Sequence, residues 1–150
     1  MALIHELLYH DDAFGSVNFR TYCQALIERL ISIRRIPLSR VEIQGESFTL
    51  GLDQAIPCGL ILNELVTNAF KHAYPDGSPG LIRVQTGSHD QQGVITVSDD
   101  GVGLPLETNL ADPVSFGMQI VISLTEQLGG TLIVTSDGGT TFTLEFPLAK

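Results

Sequence analysis

The run Asn63-Glu64-Leu65-Val66-Thr67-Asn68-Ala69-Phe70-Lys71-His72 places an acid, an amide, a lysine and a histidine along one side of a helix. At about 100° per residue, Glu64, Thr67, Asn68, Lys71 and His72 fall within an arc of about 140°. Leu62, Leu65, Val66, Ala69, Phe70 and Ala73 cover the opposite side. Two readings of this stripe stand. It is an ordinary solvated face, or it lines a cavity, because a helix otherwise so apolar must be mostly buried. In the second case the Asn68 amide oxygen and the Glu64 carboxylate are hard ligands suited to magnesium, and Lys71 suits a phosphate. His72, at the helix end, either borders that cavity or interacts with the helix dipole.

Three further segments carry potential chemistry. In Val97-Ser98-Asp99-Asp100-Gly101-Val102-Gly103 a strand runs into a glycine turn, and Asp99 shares parity with Ile95 and Val97. Its carboxylate is therefore expected to point toward the buried layer, where it needs a hydrogen-bonding partner. A purine amino group would serve. The plainer reading is a turn-forming Asp-Gly pair. In Ser115-Phe116-Gly117-Met118-Gln119-Ile120-Val121 a loop becomes a helix, whose first N–H groups could meet a phosphate. In Gly138-Gly139-Thr140-Thr141-Phe142, Thr140 has the parity of Phe142 and is expected to face the same layer as Asp99.

The elements that must position these residues follow from periodicity and breakers. Residues 2–9 form one apolar helical face without a cap, followed by a polar turn. Asn18 reads as a helix N-cap, with Val17 and Tyr22 spaced as a hydrophobic staple, and the helix must stop before Pro37. Residues 41–50 are strand-like. A long helix over residues 54–73 holds Pro57 in its first turn and is closed by Tyr74-Pro75-Asp76-Gly77. Strands are predicted over 81–86 and 94–98, joined by a polar turn over 87–93. Residues 101–115 form an irregular loop. A helix over 116–128 ends at Gly129-Gly130, and strands over 131–136 and 140–146 are joined by Asp137-Gly138-Gly139. Most strands have one polar and one apolar face. That pattern predicts an α+β fold, a two-layer sandwich whose sheet is covered by helices on one side.

Composition narrows the function classes. The chain has 150 residues, 43% hydrophobic and 17% charged, which fits one folded domain with a real core and not a disordered chain. Its net charge of -9 argues against a nucleic-acid surface, which needs a basic stripe, but leaves a nucleotide with its metal compatible. Cys23 and Cys58 lie far apart in apolar helical contexts, which favours free thiols and a reducing cytoplasm. No signal-peptide pattern follows Met1, and no apolar run approaches the ~18 residues of a membrane span. The expectation is a cytoplasmic domain whose parent protein could be tethered.

Together the four segments, in order over residues 64–142, resemble the nucleotide-binding boxes of the GHKL superfamily, which includes gyrase, the MutL mismatch-repair proteins and the histidine kinases. The resemblance implies the Bergerat type of two-layer sandwich, with a mixed sheet, and binding of ATP with Mg2+. It implies Asn68 as a magnesium ligand with Glu64 beside it, and Lys71 and His72 near the phosphates or adenine. It implies Asp99 as acceptor for the adenine amino group, supported by Thr140, with Gly101 and Gly103 passing close to the nucleotide. Residues 104–115 would be the ATP lid, with Gly117 at its far hinge and Met118 following it into the helix. Catalytic roles would fall to Glu64, Asn68 and Lys71.

Residues 61–75, the ending Leu128-Gly129-Gly130-Thr131 and the opening Ile4-His5-Glu6-Leu7-Leu8-Tyr9 are similar to the second family of histidine kinase domains. In that family the acceptor histidine lies upstream in an His-Arg-x-x-Asn-Asn type motif, which this sequence lacks. Residues 1–15 would then be the tail of the dimerisation and phosphoacceptor hairpin, and residues 16–150 the ATP-binding catalytic domain. His5-Glu6 also resembles the acceptor box of orthodox kinases, but Leu8 and His10 stand where a basic residue and a proline would follow. Met1 is either an internal methionine of a longer protein or an artificial start. The implied partners are ATP, the dimerisation domain and a response regulator receiver domain, within a homodimer and without nucleic acid. Two alternatives stay open: an anti-sigma-factor type serine kinase of the same superfamily, and a non-catalytic nucleotide-binding scaffold.

Overall fold

Helix, strand and turn signals resolve into seven strands and three helices among the described residues of the computed structural model, which are 16–34, 41–72, 80–101, 116–136 and 138–148. In chain order they are β1 (Ser16–Asn18), α1 (Phe19–Arg34), β2 (Val41–Gly45), β3 (Thr49–Gly51), α2 (Leu52–His72), β4 (Ile82–His89), β5 (Gln92–Asp99), α3 (Phe116–Gln127), β6 (Thr131–Ser136) and β7 (Thr140–Pro147). Five strands form one sheet in the order β2-β4-β5-β7-β6. The β2–β4 pair is parallel and the others are antiparallel, so the sheet is mixed.

Register explains the two-layer architecture. Val84, Val97 and Phe142 are cross-strand neighbours and are buried, as are Thr86, Ile95 and Leu144 beside them. The intervening residues form polar rows on the other face, such as Gln44, Gln85, Thr96 and Thr143. α2 packs on β5 and α3 packs on both α2 and β6, covering the apolar side. The predicted α+β sandwich with helices on one face is the observed fold.

α1 begins as the sequence signals it should. The Thr21 N–H donates to Asn18 Oδ1 at 3.1 Å, and Val17 and Tyr22 are both buried at staple spacing. Cys23, Leu26, Ile27, Leu30 and Ile31 continue the buried stripe. Cys23 and Cys58 are free thiols, and burial pushes Cys23 up to about 12, so neither is a ready nucleophile. α3 ends in paired bonds from Gly129 N–H to the Glu126 carbonyl and from Gly130 N–H to the Thr125 carbonyl. Gly129 takes φ 68°, completing a Schellman cap.

Three local readings need correction. Residues 41–50 are not one strand: after Gly45 the chain leaves the sheet, and the Thr86 hydroxyl donates to the Glu46 carbonyl at 2.7 Å. The second half becomes β3, which pairs antiparallel with β1 in a separate two-stranded sheet. α2 starts at Leu52, so Pro57 falls in its second turn, where its missing N–H leaves one main-chain carbonyl without its helical donor. The β4–β5 turn is tighter than the predicted seven-residue one: Asp90 and Gln91 form it with φ of 49° and 64°. That is the hand which two-residue hairpins require.

Arg20 ties α1 to the sheet. Its guanidinium donates to the main-chain carbonyls of Gly45 and of Ile43, the latter at 3.3 Å, on the side of β2 away from β4. No helix among the described residues is long and apolar enough to cross a membrane.

Candidate functional site

α2 is held in one rotational setting by Ile61, Leu62, Leu65 and Val66, each about 1% exposed. Each such side chain contributes about 1.5–3 kcal/mol by leaving water, so turning the helix to bury its polar residues would cost several times that. The setting leaves Glu64 and Asn68 half-buried, at the border between core and solvent. Thr67, expected on the same polar stripe, is instead buried at 7% exposure. Lys71 and His72 close the helix in the main chain, while their side chains lie outside the described residues.

Asp99 ends β5 and pairs in register with Ile82 on one side and Thr140 on the other. Its Oδ1 accepts from the Gly101 N–H at 3.0 Å and from the Thr140 N–H at 3.3 Å. One carboxylate oxygen is thus fixed by main-chain donors, leaving the second for another donor. Burial raises the Asp99 carboxyl above the ordinary aspartate range, opposed by the two N–H donors and reinforced by the charge of Asp100. Asp100 turns away and accepts from the Leu81 N–H at 3.0 Å, anchoring the turn.

Thr140 is buried, as its parity predicts, and its link to Asp99 is made by the main-chain N–H. Gly139 was legible only as a hairpin residue. It takes φ 134°, and a Cβ there would collide with the Asp99 carbonyl oxygen. The β6–β7 turn therefore packs directly on the Asp99 backbone, and only glycine permits that approach.

The third piece lies where α3 meets α2. Gly117 and Met118 open α3, both half-buried, and the Glu64 carboxylate lies against Gly117, in the space a side chain would occupy. The structure thus brings Asp99, Gly101 and Thr140 together at the end of β5, and Glu64 and Gly117 together at the α2–α3 contact. Gly103, the predicted lid over 104–115, the breaker at 74–77, His5, His10 and the whole of residues 1–15 lie outside the described residues. Among the described residues no group of three or more His, Cys, Asp or Glu could hold a metal ion.

Comparison with known proteins agrees with this fold. Residues 53–150 match the family described as histidine kinase-, DNA gyrase B- and HSP90-like ATPase. Blue-light-activated histidine kinase 2 of Erythrobacter litoralis is 31% identical over 74% of this chain and 33% of its own length. Sensor histidine kinase PdtaS of Mycobacterium tuberculosis is 30% identical over 95% of this chain and 30% of its own length. The chain thus spans about a third of the curated relatives it matches. Among solved structures, the histidine kinase domain of the Erythrobacter litoralis EL346 blue-light activated histidine kinase superposes with a TM-score of 0.85 at 26% identity, covering 97% of this chain and 71% of that one. The catalytic domain of histidine kinase ThkA, at 19% identity, shares the fold with a TM-score of 0.67 over 89% of this chain and 94% of its own. By sequence and fold together, this chain belongs to the histidine kinase-, DNA gyrase B- and HSP90-like ATPase family, as an ATP-binding domain of the sensor histidine kinase type.

Proposed function

We propose that the chain binds ATP with magnesium and passes the γ-phosphoryl group to a histidine on a dimerisation domain outside residues 16–150. A response regulator aspartate would then receive it. The observation that carries this reading is the carboxylate of Asp99, half-buried, with one oxygen held by the Gly101 and Thr140 N–H groups. A fixed charged acceptor at the edge of the buried layer suits an exocyclic amino group better than it suits water.

The remaining residues fit the rest of that ligand. Asn68 would offer its amide oxygen to magnesium, an ion that keeps waters and phosphate oxygens as its other ligands, with the Glu64 carboxylate beside it and left free for proton transfer. When bound, magnesium would neutralise charge on the phosphates. Lys71 would add a positive charge beside them, and the first N–H groups of α3 near Gly117 and Met118 would face the same anion. Glu64 would act as general base, taking the N–H proton of the attacking imidazole as the new N–P bond forms and ADP departs. Such catalysis is mostly positioning and charge stabilisation.

Incubation with γ-labelled ATP tests this. The 150-residue chain alone should stay unlabelled under alkaline conditions that preserve phosphohistidine. Addition of the acceptor hairpin should give an acid-labile label on the hairpin's histidine. Label on His5 or His10, or none on the hairpin in a sample shown to bind ATP, would refute the reading.

A further inference from the structure

We propose that Gly117 is a positioning residue for Glu64, its missing side chain being the seat of the Glu64 carboxylate. This rests on the reading of Glu64 as general base. A Cβ built on Gly117 would overlap Glu64 Oε2 and come within 3.3 Å of its carboxyl carbon, closer than nearly all real Cβ contacts. Nothing else among the described residues crowds that position. The space withheld at 117 is occupied by the one side chain assigned to proton transfer.

Local preference gives no reason for this glycine. It stands second in α3, and glycine is a poorer helix former than alanine. Neither helix can shift to admit a side chain. Val121 of α3 is fully buried, and Ile61 and Leu65 fix α2 on the other side of Glu64. What can yield is the end of the Glu64 side chain, which is flexible and half-buried. Gly117→Ala should therefore fold at little cost and rotate the carboxylate away. General-base transfer needs the base within hydrogen-bond reach, and a misplacement of about 1 Å can cost ~100-fold.

The test compares wild type, Gly117→Ala, Glu64→Gln and the double variant in the full-length protein, acceptor domain included. Gly117→Ala is expected to lower kcat by about ten- to a hundredfold while KM for ATP and ADP affinity stay within about twofold. Added to Glu64→Gln, it should lower kcat no further. In the isolated 150-residue chain, the 13C resonance of the Glu64 carboxyl should shift on Gly117→Ala. Equal losses of kcat in both backgrounds, or weakened ADP binding with kcat preserved, would overturn the proposal by assigning the glycine to the phosphates. An unmoved carboxyl resonance would overturn the contact alone. An unchanged kcat in Glu64→Gln would overturn the catalytic reading of Glu64 and the proposal with it.

Discussion

Asp99→Asn separates recognition from folding, because the structure gives the two carboxylate oxygens different work. Oδ1 accepts from Gly101 and Thr140 at 3.0 and 3.3 Å, and an amide oxygen can take over both bonds. The amide NH2 must then stand where the second carboxylate oxygen was, facing a purine amino group donor to donor. Loss of a charge-assisted hydrogen bond is worth about 1.5–3 kcal/mol, which is about 10- to 150-fold in affinity. Stability should move the other way or not at all, since burial and Asp100 both disfavour the charge that is removed. Calorimetry of ATP binding beside urea unfolding of the same samples measures both quantities. Inosine triphosphate, which lacks the amino group, sharpens the comparison: wild type should prefer ATP over it, and the variant should not. Unchanged ATP affinity, or retained discrimination in the variant, would reduce Asp99 to a turn residue. A loss of stability as large as the loss of affinity would refute the division of labour between the two oxygens.

Further outcomes are expected. ATP affinity should fall on acidification from a higher pH than an ordinary aspartate would dictate, because the raised Asp99 carboxyl must be ionised to accept. The contribution of Asp99 to stability has the opposite sign, being present below its unfolded pKa and lost as pH rises through the folded one; calorimetry and unfolding from pH 4 upward, with Asp99→Asn as reference, check both. The Tyr22 hydroxyl is buried against Gly59 with no hydrogen-bond partner among the described residues, so Tyr22→Phe should stabilise by about 1 kcal/mol in urea unfolding. Gly59→Ala should cost about 1–3 kcal/mol in wild type and distinctly less in the Tyr22→Phe background, because the hydroxyl occupies the space of the new methyl. Gln91→Gly should raise Tm by about 1–3 °C, since a non-glycine residue in the left-handed region is strained and glycine is not, less the entropy glycine loses on folding.

Much of the site was legible because it follows from parity. Asp99 shares its face with Ile95 and Val97, and Thr140 shares its own with Phe142, so alternation alone turned both toward the helices. Their pairing across β5 and β7 could not be read, because these strands are not consecutive in sequence and no connecting turn fixes their register. The Glu64–Gly117 contact was equally hidden. It depends on how α3 crosses α2, which is set by packing of side chains such as Val121 and not by any local pattern. β1 and β3 are three residues each, too short for alternation to register, so their pairing went unpredicted. The β4–β5 turn was missed for a different reason: Asp90 and Gln91 adopt a conformation usually signalled by Asn-Gly.

The Arg20 guanidinium has a consequence for colloidal behaviour. The outer edge of β2 would otherwise present a ladder of unpaired carbonyls, a template on which a strand from another molecule could grow. Arg20 occupies the carbonyls of Ile43 and Gly45, and Glu42 and Gln44 add a charge and a polar amide along the same strand. An incoming strand would have to evict a charged group holding two acceptors before its own N–H groups could reach them. Polymerisation through that margin is closed before any partner arrives. Losing one arginine, far from the nucleotide residues in sequence, would thus be felt first as a loss of solubility at high concentration.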